Sequence, residues 1–381
     1  MKEVMADIDR WRSAGKKVAV ARVVGVEGSG PRDPGATMAV SEQGEVAGSV
    51  SGGCVEGAVV TEALDALARG EGARLCTFGY SDDEAFAVGL TCGGTIHVLV
   101  DPGIMPVYES LRASLRAEEP VALATVASLE VADSGDESLP PLGTTMLVKE
   151  GGAVEGSLGE EDLDRVVARD ALGALASGLS TTRHYGRHGE ARQREVAVFL
   201  EVFAPPPNMI IFGAVDFTAA LARMGKLLGY RVTVCDARPV FATPARFPMA
   251  DQVVVDWPDR HLSAVGAGLG PRDAVCVLTH DPKFDVPAIV AALQTKVGYL
   301  GAMGSRRTHV DRVARLREAG VTEEGLERVL APIGLDIGAR TPEETAVSIC
   351  AEIIARRTGR QAPSLRDAEG PIHHGMEAAR A

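Results

Sequence analysis

The chain repeats itself, and that constrains its fold more than any other feature. Gly35-Ala36-Thr37-Met38-Ala39-Val40 returns as Gly143-Thr144-Thr145-Met146-Leu147-Val148, a shift of 108 positions. The same shift pairs Gly44 with Gly152, Gly48-Ser49 with Gly156-Ser157, Val59 with Val167, Leu67 with Leu175 and Gly70 with Gly178. Upstream, VAVARVV from Val18 resembles VALATVA from Val121. A register that survives strands, turns and a helix implies one structural unit built twice. Each copy reads as an alternating strand, a loop, a glycine-turned hairpin and then a helix, on which Val55, Val59, Ala63 and Leu67 recur at helical spacing in copy one. TIHVLVD closes copy one and EVAVFLEVF closes copy two. The expectation is a duplicated α+β unit, with copy one over residues 1–104 and copy two over residues 105–204.

The differences between the copies carry the functional signal. Copy one reads Ser51-Gly52-Gly53-Cys54 where copy two has Gly159-Glu160-Glu161-Asp162, and copy two has no counterpart of Leu90-Thr91-Cys92-Gly93-Gly94. A fold that forms without these stretches in one copy does not need them for folding. A buried cysteine can be a small hydrophobe, but a thiol ahead of a helix has its anion favoured by the helix dipole and by free backbone N–H groups. Amides bared by adjacent glycines can also hold an oxyanion or phosphate. Ser29 and Arg32, in the loop Gly28-Ser29-Gly30-Pro31-Arg32-Asp33-Pro34-Gly35, add a hydroxyl and a guanidinium suited to an anion. Ser29, Arg32, Gly52, Gly53, Cys54, Gly93 and Gly94 are therefore the candidate binding residues of copy one, with Cys54 and Cys92 as candidate functional thiols.

Pro205-Pro206-Pro207 is a stiff linker. Beyond it, short apolar runs alternate with helical patterns, which signals a doubly wound parallel sheet, a Rossmann-like domain over residues 208–360. Strand MIIF leads into Gly213, and Asp236 ends the next strand, where an acidic residue meets a ribose hydroxyl in dinucleotide-binding folds. The glycine fingerprint between them is broken. The chain reads Gly213-Ala214-Val215-Asp216-Phe217-Thr218, which puts a side chain and a negative charge where a pyrophosphate would approach, so NAD(P) binding in the usual pose is disfavoured. His280, ending AVCVLTH, and Ser305-Arg306-Arg307, opening a helix after Gly304, fall at the strand ends where ligands collect, and the latter suits a phosphate. Thr341-Pro342-Glu343-Glu344 is a capping box. The tail, 361–381, reads as mobile.

Composition excludes several classes. With 39 Lys plus Arg against 52 Asp plus Glu the formal net charge is -13, which disfavours nucleic acid and anionic lipid as partners. No apolar run approaches the roughly 18 residues that cross a bilayer, and the N-terminus lacks a signal-peptide core, so no membrane partner and a cytoplasmic location are expected. The six cysteines show no CxxC spacing, which argues against a disulfide framework or an iron–sulfur set.

These motifs together resemble the XdhC/CoxI accessory proteins of molybdenum hydroxylases. GSGPRDPGATM, GSVSGGCVEGA and TCGG match in the N-terminal half, and GYRVTVCDAR, the strand ending LTHD, GYLGAMGSRR and IGLDIGARTPEETAVSI match in the C-terminal half, in the family's order. The departure is Gly213 to Thr218, where the family usually reads GAGHVG. The resemblance implies a protein that binds the molybdenum pterin cofactor, assists exchange of an oxo for a sulfido ligand, and inserts the cofactor into a xanthine dehydrogenase or CO dehydrogenase type apoenzyme. It also implies a cysteine desulfurase as a partner. The chain is then a cofactor-binding chaperone more than a self-standing enzyme, and Cys54 contacts or protects the molybdenum centre, or relays sulfur. The competing class is an NAD(P)-dependent oxidoreductase built on the C-terminal fold. Assembly as a homo-oligomer is left open by the sequence.

Overall fold

A computed structural model of the chain describes residues 1–28, 30, 32–79, 94–129 and 139–367. The chain divides into two units, the first over Met1–Pro205 and the second beginning at Pro206.

In the first unit, copy one runs α1 (Met5–Ser13), β1 (Val18–Glu27), β2 (Thr37–Ser41), β3 (Val46–Gly48), α2 (Glu56–Arg69), β4 (Arg74–Phe78) and β5 (Thr95–Asp101). Copy two runs α3 (Tyr108–Arg116), β6 (Val121–Leu129), β7 (Thr145–Lys149), β8 (Val154–Gly156), α4 (Glu161–Ser177), β9 (Thr181–Tyr185) and β10 (Val196–Phe203). Among the described residues each copy forms a five-stranded antiparallel sheet, in the orders β3-β2-β1-β5-β4 and β8-β7-β6-β10-β9, so the duplicated unit is borne out. The sequence reading missed α1, α3, β4 and β9. Even the irregularities match: β1 bulges at Val24 against β5, and β6 bulges at the equivalent Ala127 against β10.

The alternation of side chains along a strand explains how these layers stack. Ala19, Ala21 and Val23 of β1 pack under α2 with Val59, Ala63 and Leu67. Ala122, Ala124 and Val126 of β6 pack under α4 with Val167, Ala171 and Leu175. The opposite faces of the two sheets meet each other: Val18 and Val20 lie in one cluster with Val121 and Leu123, while Val24, Leu99, Ala127 and Phe199 form another. α1 and α3 close that layer through Ile8, Trp11, Tyr108 and Leu111. The layer also buries charge, because Arg22 pairs with Glu201 at 3.4 Å and the Met1 ammonium lies 3.6 Å from Glu201.

The second unit runs β11 (Asn208–Phe212), α5 (Asp216–Leu227), β12 (Arg231–Cys235), β13 (Gln252–Val254), α6 (Pro258–Val265), β14 (Ala274–Val277), α7 (Pro282–Leu293), β15 (Tyr299–Ala302), α8 (Arg306–Glu318), α9 (Glu323–Glu327), β16 (Val329–Leu330) and α10 (Pro342–Thr358). Its strands are parallel in the order β13-β12-β11-β14-β15-β16, the doubly wound arrangement that the alternating apolar runs imply. The capping box at Thr341 and Glu344 starts α10. Among the described residues no helix is long and apolar enough to cross a membrane. The tail from residue 368 lies outside the described residues.

Candidate functional site

Antiparallel pairing brings the loops of copy one to a single end of its sheet. Glu27 pairs with Thr95, Ile96 with Phe78, and Met38 with Gly48, so the loops leaving β1, β3 and β4 all emerge there. The strap from Ser49 to Val55 joins β3 to α2 at this end, and Cys54 stands exposed on it.

The strap is organised around one carboxylate. Glu56, the first residue of α2, turns back so that Oε1 accepts from Ser49 Oγ at 2.6 Å, Val50 N at 3.2 Å and Ser51 N at 2.8 Å. Its Oε2 accepts from Ser51 Oγ at 2.6 Å and Gly53 N at 2.8 Å. Ser51 Oγ in turn accepts from Cys54 N and Val55 N, both at 3.0 Å, and Gly52 N donates to Ser49 Oγ at 2.9 Å. Partial burial works to raise the Glu56 pKa, but the hydrogen bonds from Ser49 and Ser51 outweigh it and hold the carboxyl down at about 2. This corrects the expectation of open N–H groups. Every amide from Val50 to Val55 already has an acceptor, so the glycines bare no anion cradle here; the protein's own carboxylate fills it.

What the glycines do is shape the strap. Gly52 and Gly53 have φ of 76° and 121°, which a side chain adopts only with strain. In copy two Glu160, matching Gly52, is the extended N-cap and Glu161, matching Gly53, is already helical, since α4 starts at Glu161 while α2 starts three positions later in the repeat, at Glu56. The partner of Glu56 in the repeat is Asp164, whose Oδ1 accepts from Leu158 N at 2.7 Å. The anchoring carboxylate is therefore shared and structural. The exposed thiol is peculiar to copy one, where a helical turn is unwound to present it.

Cys54 differs from the other described cysteines. Cys235, Cys276 and Cys350 are buried and Cys76 is half-buried. Burial raises the pKa of all four, to about 12 for Cys235 and about 11 for Cys350. Arg32 is on the β1–β2 loop at the same end of the sheet, where its guanidinium lies 3.4 Å from Glu3. Gly94 abuts that loop, because a methyl group on Gly28 would lie 3.5 Å from its Cα. Ser29, Cys92 and Gly93 lie outside the described residues.

In the second unit, Gly213, His280 and Ser305 follow the adjacent strands β11, β14 and β15, so topology brings them to one sheet edge. His280, Ser305, Arg306 and Arg307 are exposed. Asp236 is engaged by its own chain: Ala214 N donates to Oδ2 at 2.8 Å, and Arg238 donates from its amide and from both ends of its guanidinium at 2.8–2.9 Å. Burial pushes the Asp236 pKa up, but the bonds from Arg238 and the amides prevail and lower it. The carboxylate that would meet a ribose is thereby covered. Val215 packs against the core, whereas Asp216 is exposed in the first turn of α5, so its charge is the larger obstacle to a pyrophosphate. Buried Arg312 of α8 bridges Asp285 and the carbonyl of Met303, tying the loop after β15 to α7. Its Nε and Nη1 have no hydrogen-bond partner among the described residues.

Sequence reasoning missed Glu56, Arg238 and Arg312. Glu56 had a signal, since a carboxylate recurs at Asp164 in the same register. Among the described residues no three His, Cys, Asp or Glu side chains group to hold a metal ion.

The XdhC and CoxI family model matches residues 11–79 and 114–186, and that of the XdhC Rossmann domain matches residues 209–353. A protein of Bacillus subtilis (strain 168) described as a probable subunit of xanthine dehydrogenase is 30% identical over 347 residues, which cover 90% of this chain and 94% of that protein. The molybdenum cofactor insertion chaperone PaoD of Escherichia coli (strain K12) is 26% identical over 344 residues, covering 90% and 85%. A crystal structure of a xanthine dehydrogenase from Bacillus halodurans has the same fold, with a TM-score of 0.63 at 24% identity, covering 94% of this chain and 97% of that one. The matches reach both N-terminal copies and the parallel-sheet unit, and the chain belongs to the XdhC/CoxI family.

Proposed function

We propose that this protein binds the molybdenum pterin cofactor, assists its sulfuration and inserts it into a molybdenum hydroxylase apoenzyme, with a cysteine desulfurase as the sulfur donor. The observation that carries this reading is the exposed Cys54, held on a hydrogen-bonded strap that copy two lacks. A thiolate is a soft ligand suited to a thiophilic metal or to carrying sulfur. The names of the Bacillus subtilis and Escherichia coli relatives support a role in maturing this class of enzyme. Because the strap amides are occupied, the cofactor's phosphate takes its contacts elsewhere in the first unit, from Arg32, whose exposed pairing with Glu3 is weak enough to exchange; Ser305 to Arg307 form a separate candidate phosphate site of the second unit. We assign no ordinary NAD(P) site to the Rossmann unit.

The test is retention of the pterin by protein purified from a cofactor-producing host. Cys54→Ala and Arg32→Ala should lose bound pterin, while Asp162→Ala, at the copy-two position matching Cys54, should keep it. Loss confined to Asp162→Ala overturns the assignment.

A further inference from the structure

The two copies treat one buried carboxylate differently. Glu201, on β10 of copy two, faces two cations of copy one: Arg22 at 3.4 Å and the Met1 ammonium at 3.6 Å, the latter also donating to Thr37 Oγ1 at 2.8 Å. The repeat places Asp101 in the position of Glu201, Thr145 in that of Thr37 and Thr125 in that of Arg22. The packing agrees: a methyl group on Gly35 would lie 3.7 Å from Glu201 Oε1, and one on the equivalent Gly143 would lie 3.4 Å from Asp101 Oδ2. Val4 beside Gly48 and Val107 beside Gly156 repeat the same contact, so Ile104 stands where Met1 stands.

At the Asp101 position both cations are therefore replaced while the carboxylate stays. A threonine takes the place of the arginine, and an uncharged chain amide takes the place of the ammonium. Three consequences are visible. Thr145, 4% exposed, and Thr125, fully buried, have hydroxyls without a hydrogen-bond partner among the described residues. Asp101 accepts only from Gly103 N, at 2.8 Å, among the described residues. A cavity of about 470 Å³ opens there, lined by Asp101, Thr145 and Gly143 and by the apolar Ala73, Met105 and Leu142.

We propose that this cavity binds a protonated primary amine with an apolar body, its ammonium held between Asp101 and Thr145 as the Met1 ammonium is held between Glu201 and Thr37. The apolar lining receives the alkyl part, and the volume lies within the usual range of small-molecule sites. Burial raises the Asp101 pKa and outweighs the Gly103 amide and the more distant charge of Arg22, which lower it. The inference does not depend on the cofactor role.

n-Butylammonium chloride is the probe, titrated into the full chain while the methyl signals of Ala73, Met105 and Leu142 are followed by NMR. Saturable shifts are expected, with n-butanol binding at least tenfold more weakly and sodium chloride having no effect. Asp101→Asn, which keeps an acceptor for Gly103 N, should weaken binding at least tenfold, and Thr145→Val severalfold. Absence of saturable shifts, equal binding of butanol, or unchanged affinity in Asp101→Asn overturns the proposal. If that variant does not fold, the butanol comparison on the unaltered protein and Thr145→Val decide it.

Discussion

At the residue scale, the thiol and the carboxylate two positions on have separate duties. Glu56 holds the strap, so Glu56→Gln, which turns an amide toward groups that donate to the carboxylate, should cost about 1–3 kcal/mol of stability in denaturant titration. The pH dependence follows from the lowered pKa: the contribution is fully present above the ordinary carboxyl value of 4.5 and is lost as pH falls toward about 2. The stabilities of the unaltered protein and Glu56→Gln should therefore converge over that window. Cys54 is exposed, and its exposure predicts selective chemistry. Alkylation at neutral pH, read by peptide mass spectrometry, should modify Cys54 well before Cys235, Cys276 and Cys350, which become reactive only on unfolding. Cys54 was legible as a candidate because copy two lacks it. The use of the loop amides was not, because a glycine pair reads the same whether its N–H groups face a ligand or a neighbouring glutamate.

At the element scale, the strap is a helical turn undone. Gly53→Ala should cost about 1–2 kcal/mol, since the residue has positive φ and alanine there is strained. Replacing Ser51-Gly52-Gly53-Cys54 by Gly-Glu-Glu-Asp, the copy-two sequence, should instead lengthen α2 at its start and leave a folded protein; the extra helical signal in circular dichroism checks this, and pterin retention should be lost with it. Elements with a buried face were legible from their alternation, as in β1 and β6. β4 and β9 were not, because they are edge strands that carry polar residues on the face under the covering helix, where their arginines pair with its acidic residues: Arg74 with Glu62 and Asp65 of α2, and Arg183 with Asp170 of α4. α1 and α3 escaped notice because each is short and buries only a few side chains between the sheets.

At the scale of the whole molecule, a Rossmann-type sheet order does not guarantee a dinucleotide site. Calorimetric titration should show no tight binding of NAD or NADP by the unaltered protein, and gain of binding in the variant combining Val215→Gly with Asp216→His. Tight binding without these changes would instead favour the oxidoreductase reading. The parallel, doubly wound class of this sheet was legible from the rhythm of apolar runs, while the closure of Asp236 by Arg238 depends on a side-chain direction that no spacing encodes. In the first unit, equivalent residues meet one another across the layer between the sheets, Val24 with Ala127 and Leu99 with Phe199. A surface that meets its own copy in this way is an isologous interface. A chain carrying one unit alone would have to close it by pairing with a second molecule, and its folding would depend on concentration. Joining both partners in one chain removes that dependence. It also frees the copies from being identical, so that one can give up a helical turn to present a thiol while the other keeps that turn helical.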